Sequence, residues 1–411
     1  MVPEGWEKAR FEEVTRIANG QVDPKVEPYS SMLHIGPENV TSHSGQLSGC
    51  KTGKELGLIS GKYEFDEQAI VYSKIRPNLN KVCRPKFHGL CSADMYPIWA
   101  NEGLDIDYLY HYMLSPGFFK TAIAMSMRTG MPKINRSDLN AVRIVLPPLP
   151  EQKKIAQILS TWDQAIIATE RLLENSQQRK KGLMQQLLTG KRRLVRSNTT
   201  LTTKKTRTGE LPGDWAYPQI AQICHQVTDK NIDDQQYPVL ACSKHHGFVD
   251  SLKYFKKRVY SKDLTGYRVI PRGCIGFPAN HVEEGSIGLQ NLYDYGLVSP
   301  IYVVARPDSQ KVNVDYLYAV LKTDHYRQIF SAATNASVDR RGSLRWKEFS
   351  QIHVPLPPLP EQNQIAEVLK LATKEIASLE TALDLLKQEK KALMQQLLTG
   401  KRRVNVETEA A

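Results

Sequence analysis

What this 411-residue chain lacks narrows its chemistry before anything it contains. Its six cysteines, Cys50, Cys83, Cys91, Cys224, Cys242 and Cys274, never form a C-x-x-C pair. Zinc and redox dithiol chemistry are therefore not expected, and reduced thiols in a cytosol are the simplest account. No apolar run approaches a membrane span, and the opening Met1-Val-Pro-Glu-Gly-Trp6 has neither the basic nor the apolar stretch of a leader, so a cytoplasmic setting is expected. The sequence has no G-x-G-x-x-G after a strand, no G-x-x-x-x-G-K-[ST], no H-E-x-x-H and no G-x-S-x-G, which leaves dinucleotide, P-loop, zincin and serine-hydrolase chemistry without support. The Asn/Asp-Pro-Pro-aromatic tetrapeptide of amino-methyltransferases is also missing, which disfavours a self-sufficient base methylase. A nuclease-like pairing of Pro307-Asp308 with Glu389 and Lys391 is discounted, because the last two fall where a helix should show its solvated face. Acidic residues are in the minority, 43 against 55 lysines and arginines, leaving a formal charge of +12. That balance favours an anionic partner, nucleic acid first.

What is there is a stretch present twice. Residues 146–193 recur as 356–403 without insertion or deletion, and 27 of the 48 aligned pairs are identical. Each copy opens on Leu-Pro-Pro-Leu-Pro-Glu-Gln and closes on Leu-Leu-Thr-Gly-Lys-Arg-Arg. Between these ends, apolar residues alternate at steps of four and three. In the first copy the pairing positions are Ile155, Leu159, Ile166, Leu173 and Leu183; in the second they are Ile365, Leu369, Ile376, Leu379, Leu383 and Leu393. Such a heptad seam predicts long helices packed as a coiled coil. Two copies in one chain can pair with each other, so an intramolecular antiparallel pair is expected. Pro147, Pro148 and Pro150 place the first helix start near Glu151, and Gly190 and Gly400 mark helix ends, with Lys-Arg-Arg complementing the dipole. Thr169, Ser176 and Lys180 interrupt the first seam, leaving room for helices from a partner.

The repeats divide the chain into a first globular domain at 1–145, a helix at 146–195, a basic linker at 196–210, a second domain at 211–355, and a second helix with a tail at 356–411. The two domains echo one another: Val2-Pro-Glu-Gly-Trp6 matches Leu211-Pro-Gly-Asp-Trp215, and Asp107-Tyr-Leu-Tyr110 matches Asp315-Tyr-Leu-Tyr318. Short strands such as Ala69-Ile-Val-Tyr72, Tyr96-Pro-Ile-Trp99, Arg268-Val-Ile270 and Ile301-Tyr-Val-Val304 are expected in them. A helix is expected after each Asp-Tyr-Leu-Tyr, and Arg143-Ile-Val-Leu and Ile352-His-Val-Pro-Leu should be closing strands. The fold class is α/β (α+β): two similar domains separated by two long antiparallel coiled-coil helices, with pseudo-two-fold repetition.

Basic, polar loops are the candidate interface. In the first domain they hold Lys74, Arg76, Asn78, Asn80, Arg128, Lys133, Asn135 and Arg136; in the second, Lys256, Lys257, Asn280, His281, Arg340, Arg341 and Arg345. Arginine and lysine can bond guanine O6 and N7, asparagine can bond adenine N6 and N7, and the same cations hold phosphates. Tyr254 and Phe255 read as core. Catalytic and metal-binding residues: none.

With these features in hand, the chain resembles the specificity (S) subunit of type I restriction-modification enzymes. The resemblance covers both halves, and Pro-Pro-Leu-Pro-Glu-Gln at 147–152 and 357–362 is its most diagnostic part. It implies two target recognition domains, each reading one half of a bipartite double-stranded DNA target. It implies helices that set the spacer and dock two modification (methyltransferase) subunits, and restriction subunits as further partners. It also implies a non-catalytic chain that binds no cofactor, with S-adenosylmethionine on the modification subunit and ATP and Mg on the restriction subunit. Helix length and the linker after Thr189 would act as a ruler for the spacer. The other function class left open is a coiled-coil scaffold with two protein-binding α/β domains.

Overall fold

Both repeat copies fold as single helices of 39 residues, Leu149–Leu187 and Leu359–Leu397. Each starts two residues before the expected Glu, with its last proline in the first turn, where a missing N–H costs nothing. The computed structural model describes residues 3–126, 132–194, 202–207, 209–335 and 342–406. The chain divides into two units, one of residues 1–171 with 380–411 and one of residues 172–379. Each unit thus combines one globular domain, the N-terminal part of one long helix and the C-terminal part of the other.

In the first unit, a four-stranded antiparallel sheet runs in the order Thr15–Ile17, Met95–Ala100, Ile70–Ser73, Val82–Cys83. A second sheet orders Lys51–Thr52, Leu33–Ile35, Gly89–Cys91 and Tyr63–Phe65, with one parallel pairing between the middle strands. Helix Ile106–Leu114 packs on this core. It carries Asp107 of the Asp-Tyr-Leu-Tyr motif in its first turn, and Asp105 caps it by accepting from the Tyr108 N–H at 2.9 Å. The second unit repeats the first of these sheets and its helix, while other strands form two-stranded sheets, Leu240–Ser243 with Gly247–Asp250 and Arg268–Pro271 with Tyr295–Val298. Its four-stranded sheet orders Cys224–Gln226, Tyr302–Pro307, Ile275–Pro278 and Gly288–Leu289, and Asn313 caps helix Val314–Leu321 through the Tyr316 N–H at 3.0 Å. Arg143–Leu146 closes the first unit by pairing with Glu7–Arg10. The expected closing strand at Ile352 is reduced to isolated bridges, Gln219 with His353 and Ala216 with Leu356.

The long helices complete each domain's core in antiparallel fashion. In the first unit Ile155 and Leu159 are buried with Met394, Leu397 and Leu398. In the second, Leu187 and Leu188 are buried with Ile365 and Leu369. Ile166 is also buried, whereas Leu173, Leu183, Ile376, Leu379, Leu383 and Leu393 are only half-buried. Of these, Leu183 packs at the edge of the second unit's core and Leu393 at the edge of the first unit's. The polar interruptions are absorbed locally: Ser176 Oγ donates to Glu375 at 3.1 Å, and Thr169 Oγ1 donates to the Ala165 carbonyl at 2.8 Å.

The repeated end motifs prove to be halves of one clasp. In the second unit the buried Glu361 carboxylate accepts from Trp215 Nε1 at 3.2 Å and from Arg193 Nε and Nη2 at 2.6 and 2.7 Å. Arg193 also forks onto Asp214 and lies over the Trp215 ring, 5.7 Å from its centroid. The first unit repeats this with Glu151, Trp6 at 3.2 Å and Arg403 at 3.0 Å, and Arg403 lies 5.6 Å from the Trp6 centroid. The adjacent glutamine seals the junction. Gln152 accepts from the Asp105 N–H at 2.8 Å and donates to the Gly103 and Pro147 carbonyls at 2.9 and 2.8 Å; Gln362 does the same for Asn313, Lys311 and Pro357. Gly190 and Gly400 sit at φ +70°, and a Cβ on either would lie 2.5 Å from Pro212 or 2.2 Å from Pro3. Glycine is required there by backbone conformation and by clearance. The third basic residue of Lys-Arg-Arg therefore acts through a specific buried carboxylate, beyond any general effect on the helix dipole.

Candidate nucleic-acid interface

In the first unit, two of the basic loops meet. Strand Ile70–Ser73 runs into Lys74, whose carbonyl accepts from the Ile134 N–H at 2.9 Å. Ile75 bridges to Lys133, and Arg76 N donates to the Pro132 carbonyl at 3.0 Å. Arg76 adopts a left-handed φ of +49°, a conformation that non-glycine residues hold only where surrounding contacts enforce it. Arg76, Asn78 and Lys133 are exposed, so this junction presents two cations and an amide to solvent.

Other residues chosen from sequence are occupied by the fold. Asn80 is buried, and its amide donates to the Leu114 carbonyl at 3.5 Å. Arg136 directs its guanidinium to the Ile17 and Ala18 carbonyls and over the Tyr96 ring. Lys74 covers that same ring, 5.2 Å from its centroid. Asn135 caps the short helix Arg136–Asn140, its N–H donating to Asp138 at 3.3 Å. Arg128 lies outside the described residues.

The second unit builds the equivalent junction from strand Ile275–Pro278, with the Leu344 N–H donating to the Ala279 carbonyl at 2.8 Å. Asn280 is half-buried, His281 is exposed with Nδ1 3.2 Å from Glu284, and Arg345 is exposed at the start of helix Trp346–Phe349. Arg340 and Arg341 lie outside the described residues. Lys256 and Lys257 lie in the turn after helix Ser251–Phe255, and both are exposed. Tyr254 and Phe255, read as core from sequence, are 48% and 43% exposed. The helix has only five residues, and its buried face is taken by Ser251.

Electrostatics elsewhere are structural. Buried His111 has Nε2 3.1 Å from Ser160 Oγ and Nδ1 3.8 Å from the Asp163 carboxylate, which is itself paired with Lys390. Burial first, and the Lys390 cation second, push its pKa down to about 3. In the second unit, the repeat places Lys180 where Lys390 stands and Thr373 where Asp163 stands. Lys180 is half-buried, and desolvation lowers its pKa. Among the described residues, no group of three or more His, Cys, Asp or Glu side chains could hold a metal, and no helix is long and apolar enough to cross a membrane.

What sequence reading missed was the clasp. Its signal was available: Trp, Glu, Gln and Arg occur at matching places in both halves.

Comparison with known proteins places this architecture. Residues 3–176 and 212–388 match the type I restriction modification DNA specificity domain. The chain is 37% identical over 187 residues to the EcoDI specificity subunit of Escherichia coli, a match spanning 46% of this chain and 41% of that protein. It is 25% identical over 425 residues to the MjaVIII specificity subunit of Methanocaldococcus jannaschii, covering 98% and 94% of the two chains. A solved type I restriction-modification S subunit from M. genitalium shares the fold at a TM-score of 0.60 and 14% identity, over 95% of this chain and 96% of that one. With two copies of the family's domain spanning most of its length, the chain belongs to the type I restriction-modification DNA specificity family.

Proposed function

We propose that this chain is the DNA-reading subunit of a type I restriction-modification complex, with each globular domain reading one half of a bipartite double-stranded target. The observation that carries this reading is the combination of two matching clasps with two different surfaces. The Trp–Glu–Arg–Gln junction is the same in both units. The loops at the equivalent junctions differ, Arg76, Asn78 and Lys133 in one and Asn280, His281 and Arg345 in the other. One scaffold presenting two polar, basic surfaces suits the reading of two unlike half-sites.

On this reading the chain carries no catalytic group and no cofactor of its own. Modification subunits bring S-adenosylmethionine, and restriction subunits bring ATP and Mg. The half-buried leucines of the helix pair, with exposed Leu172, Leu371 and Leu385 beside them, are suited to packing against helices of the modification subunits. The test is to express the chain with the modification subunit of its own operon and map methylated DNA by sequencing. A split motif that appears only when this chain is present supports the proposal. Methylation that is absent, or unchanged without this chain, would count against it and favour a protein-binding scaffold.

A further inference from the structure

Between Ser251 and Lys262 the second unit carries exposed apolar side chains and cations in one short segment. Leu252, Tyr254, Phe255 and Val259 are 53%, 48%, 43% and 49% exposed. Five cations, Lys253, Lys256, Lys257, Arg258 and Lys262, are interleaved with them. Two acids flank them: Asp250 caps the helix, accepts from Tyr293 Oη at 2.9 Å and pairs with Lys253 at 3.9 Å, and Asp263 accepts from Thr265, so the cations still outnumber the acids. Tyr254 and Phe255 stand edge to face, centroids 5.0 Å apart at 86°, and the His246 ring lies 6.2 Å from that of Tyr254. Lys256 follows at a left-handed φ of +54° and turns the chain directly after the aromatic pair. Single exposed apolar residues are ordinary, but a contiguous patch marks a binding surface.

We propose that Tyr254 and Phe255 form a wedge that contacts bases at the half-site of the second domain, with Lys256 and Lys257 seating the flanking phosphates. This rests on the DNA-reading function proposed above. Charge chooses the occupant. Lysine is depleted in the cores of protein–protein interfaces, and five cations in one short segment match a polyanion. Ring chemistry chooses the contact, since every base offers a π-face and apolar side chains can enter a base step. With the two rings perpendicular, one can lie parallel to the bases while the other supports it. Among the described residues of the first unit, none of the exposed large apolar side chains is aromatic, so the wedge belongs to one half-site.

The experiment measures binding of the full chain to a mixed-sequence 40-base-pair duplex and to heparin, which has the charge but no bases, across a salt series. Tyr254→Leu with Phe255→Leu keeps apolar bulk and removes both rings. It should weaken duplex binding roughly tenfold while leaving heparin affinity and the salt slope unchanged. Lys256→Ala with Lys257→Ala should weaken both ligands and reduce the duplex slope by about two. Phe255→Leu alone, on an exposed side chain, guards against a folding defect in the pair and should show part of the loss. Wild-type duplex affinity in the leucine pair would overturn the wedge alone. So would loss of modification-subunit binding with DNA binding intact, which would assign the patch to protein. A wild-type chain that binds no duplex would overturn the wedge together with the DNA-reading function.

Discussion

A carboxylate as buried as Glu361, 1% exposed, is stable only while its charge is met. Arg193→Ala removes the fork and leaves the anion facing Trp215 alone. Breaking a buried pair from one side costs about 3–5 kcal/mol, so urea denaturation should show the second unit weakened by that order. Arg193→Lys should recover only part, because an ammonium cannot form the bidentate contact. A midpoint unchanged in both variants would refute the clasp. The same logic separates the candidate DNA contacts. Arg76→Ala and Lys133→Ala should lower DNA affinity, each reducing the salt slope by about one, without altering thermal stability. Arg136→Ala should instead lower the melting temperature, since its donors serve the Ile17 and Ala18 carbonyls. His111 gives a pH signature. Its folded pKa, about 3, lies below the unfolded value near 6.5. The unfolded state therefore binds the proton first, and stability contributed by this site falls as pH drops from about 6.5 towards 3. Each unit in that window costs up to roughly 1.4 kcal/mol. His111→Gln should flatten that limb of a stability-against-pH curve, and an unchanged limb would place the titration elsewhere.

At the scale of elements, the repeat made the long helices legible. Heptad spacing, flanking prolines and terminal glycines all point to the same boundaries, and the antiparallel pairing inside each unit follows from two copies in one chain. The strands were legible too, because runs such as Ile70–Ser73 are β-branched and aromatic. The short elements were not. Helix Ser251–Phe255 is set by one capping aspartate, so its aromatics carry no periodicity that could reveal an exposed face. Asn80 and Arg136 looked like surface polar residues, yet tertiary contacts drew them inward, and only the partners on distant strands disclose that. Helix pairing also exposes an asymmetry. The first unit joins Lys390 to Asp163, whereas the repeat puts Lys180 and Thr373 at the matching positions in the second. Thr373→Asp should supply the missing carboxylate and raise stability by about 0.5–1 kcal/mol. A lower melting temperature would mean that desolvation of the new charge outweighs the pair.

For the whole molecule, we propose that the helices alone, rather than the helices together with the linker after Thr189, act as the ruler. The first long helix passes from one unit to the other at Arg171 and Leu172, and the second at Leu379 and Glu380. Leu187 and Leu188 are already packed in the second unit's core, so residues inserted after Thr189 fall beyond the crossing and should leave the target spacer unchanged. Seven residues inserted at both crossings preserve the heptad register. They add about 10.5 Å of helix, so the spacer of the methylated motif should lengthen by roughly three base pairs at 3.4 Å each. A spacer that responds to the linker insertion but not to the helix insertions would reverse this assignment.

The clasp between Glu151 and Arg403 joins residues 252 positions apart, and it sets an order of assembly on the ribosome. The first domain emerges early, but Met394, Leu397 and Leu398 of its core are translated only after the whole second domain. At about 5–20 residues per second, its apolar flank waits roughly 12–50 s for its cover. The second domain needs only a helix end already made and Ile365 and Leu369 just behind it, so it can close first. Nascent chains arrested once residue 380 has cleared the ribosome should therefore resist protease in the later-made domain while the earlier one is still cut. Vectorial synthesis would then finish this protein at its beginning.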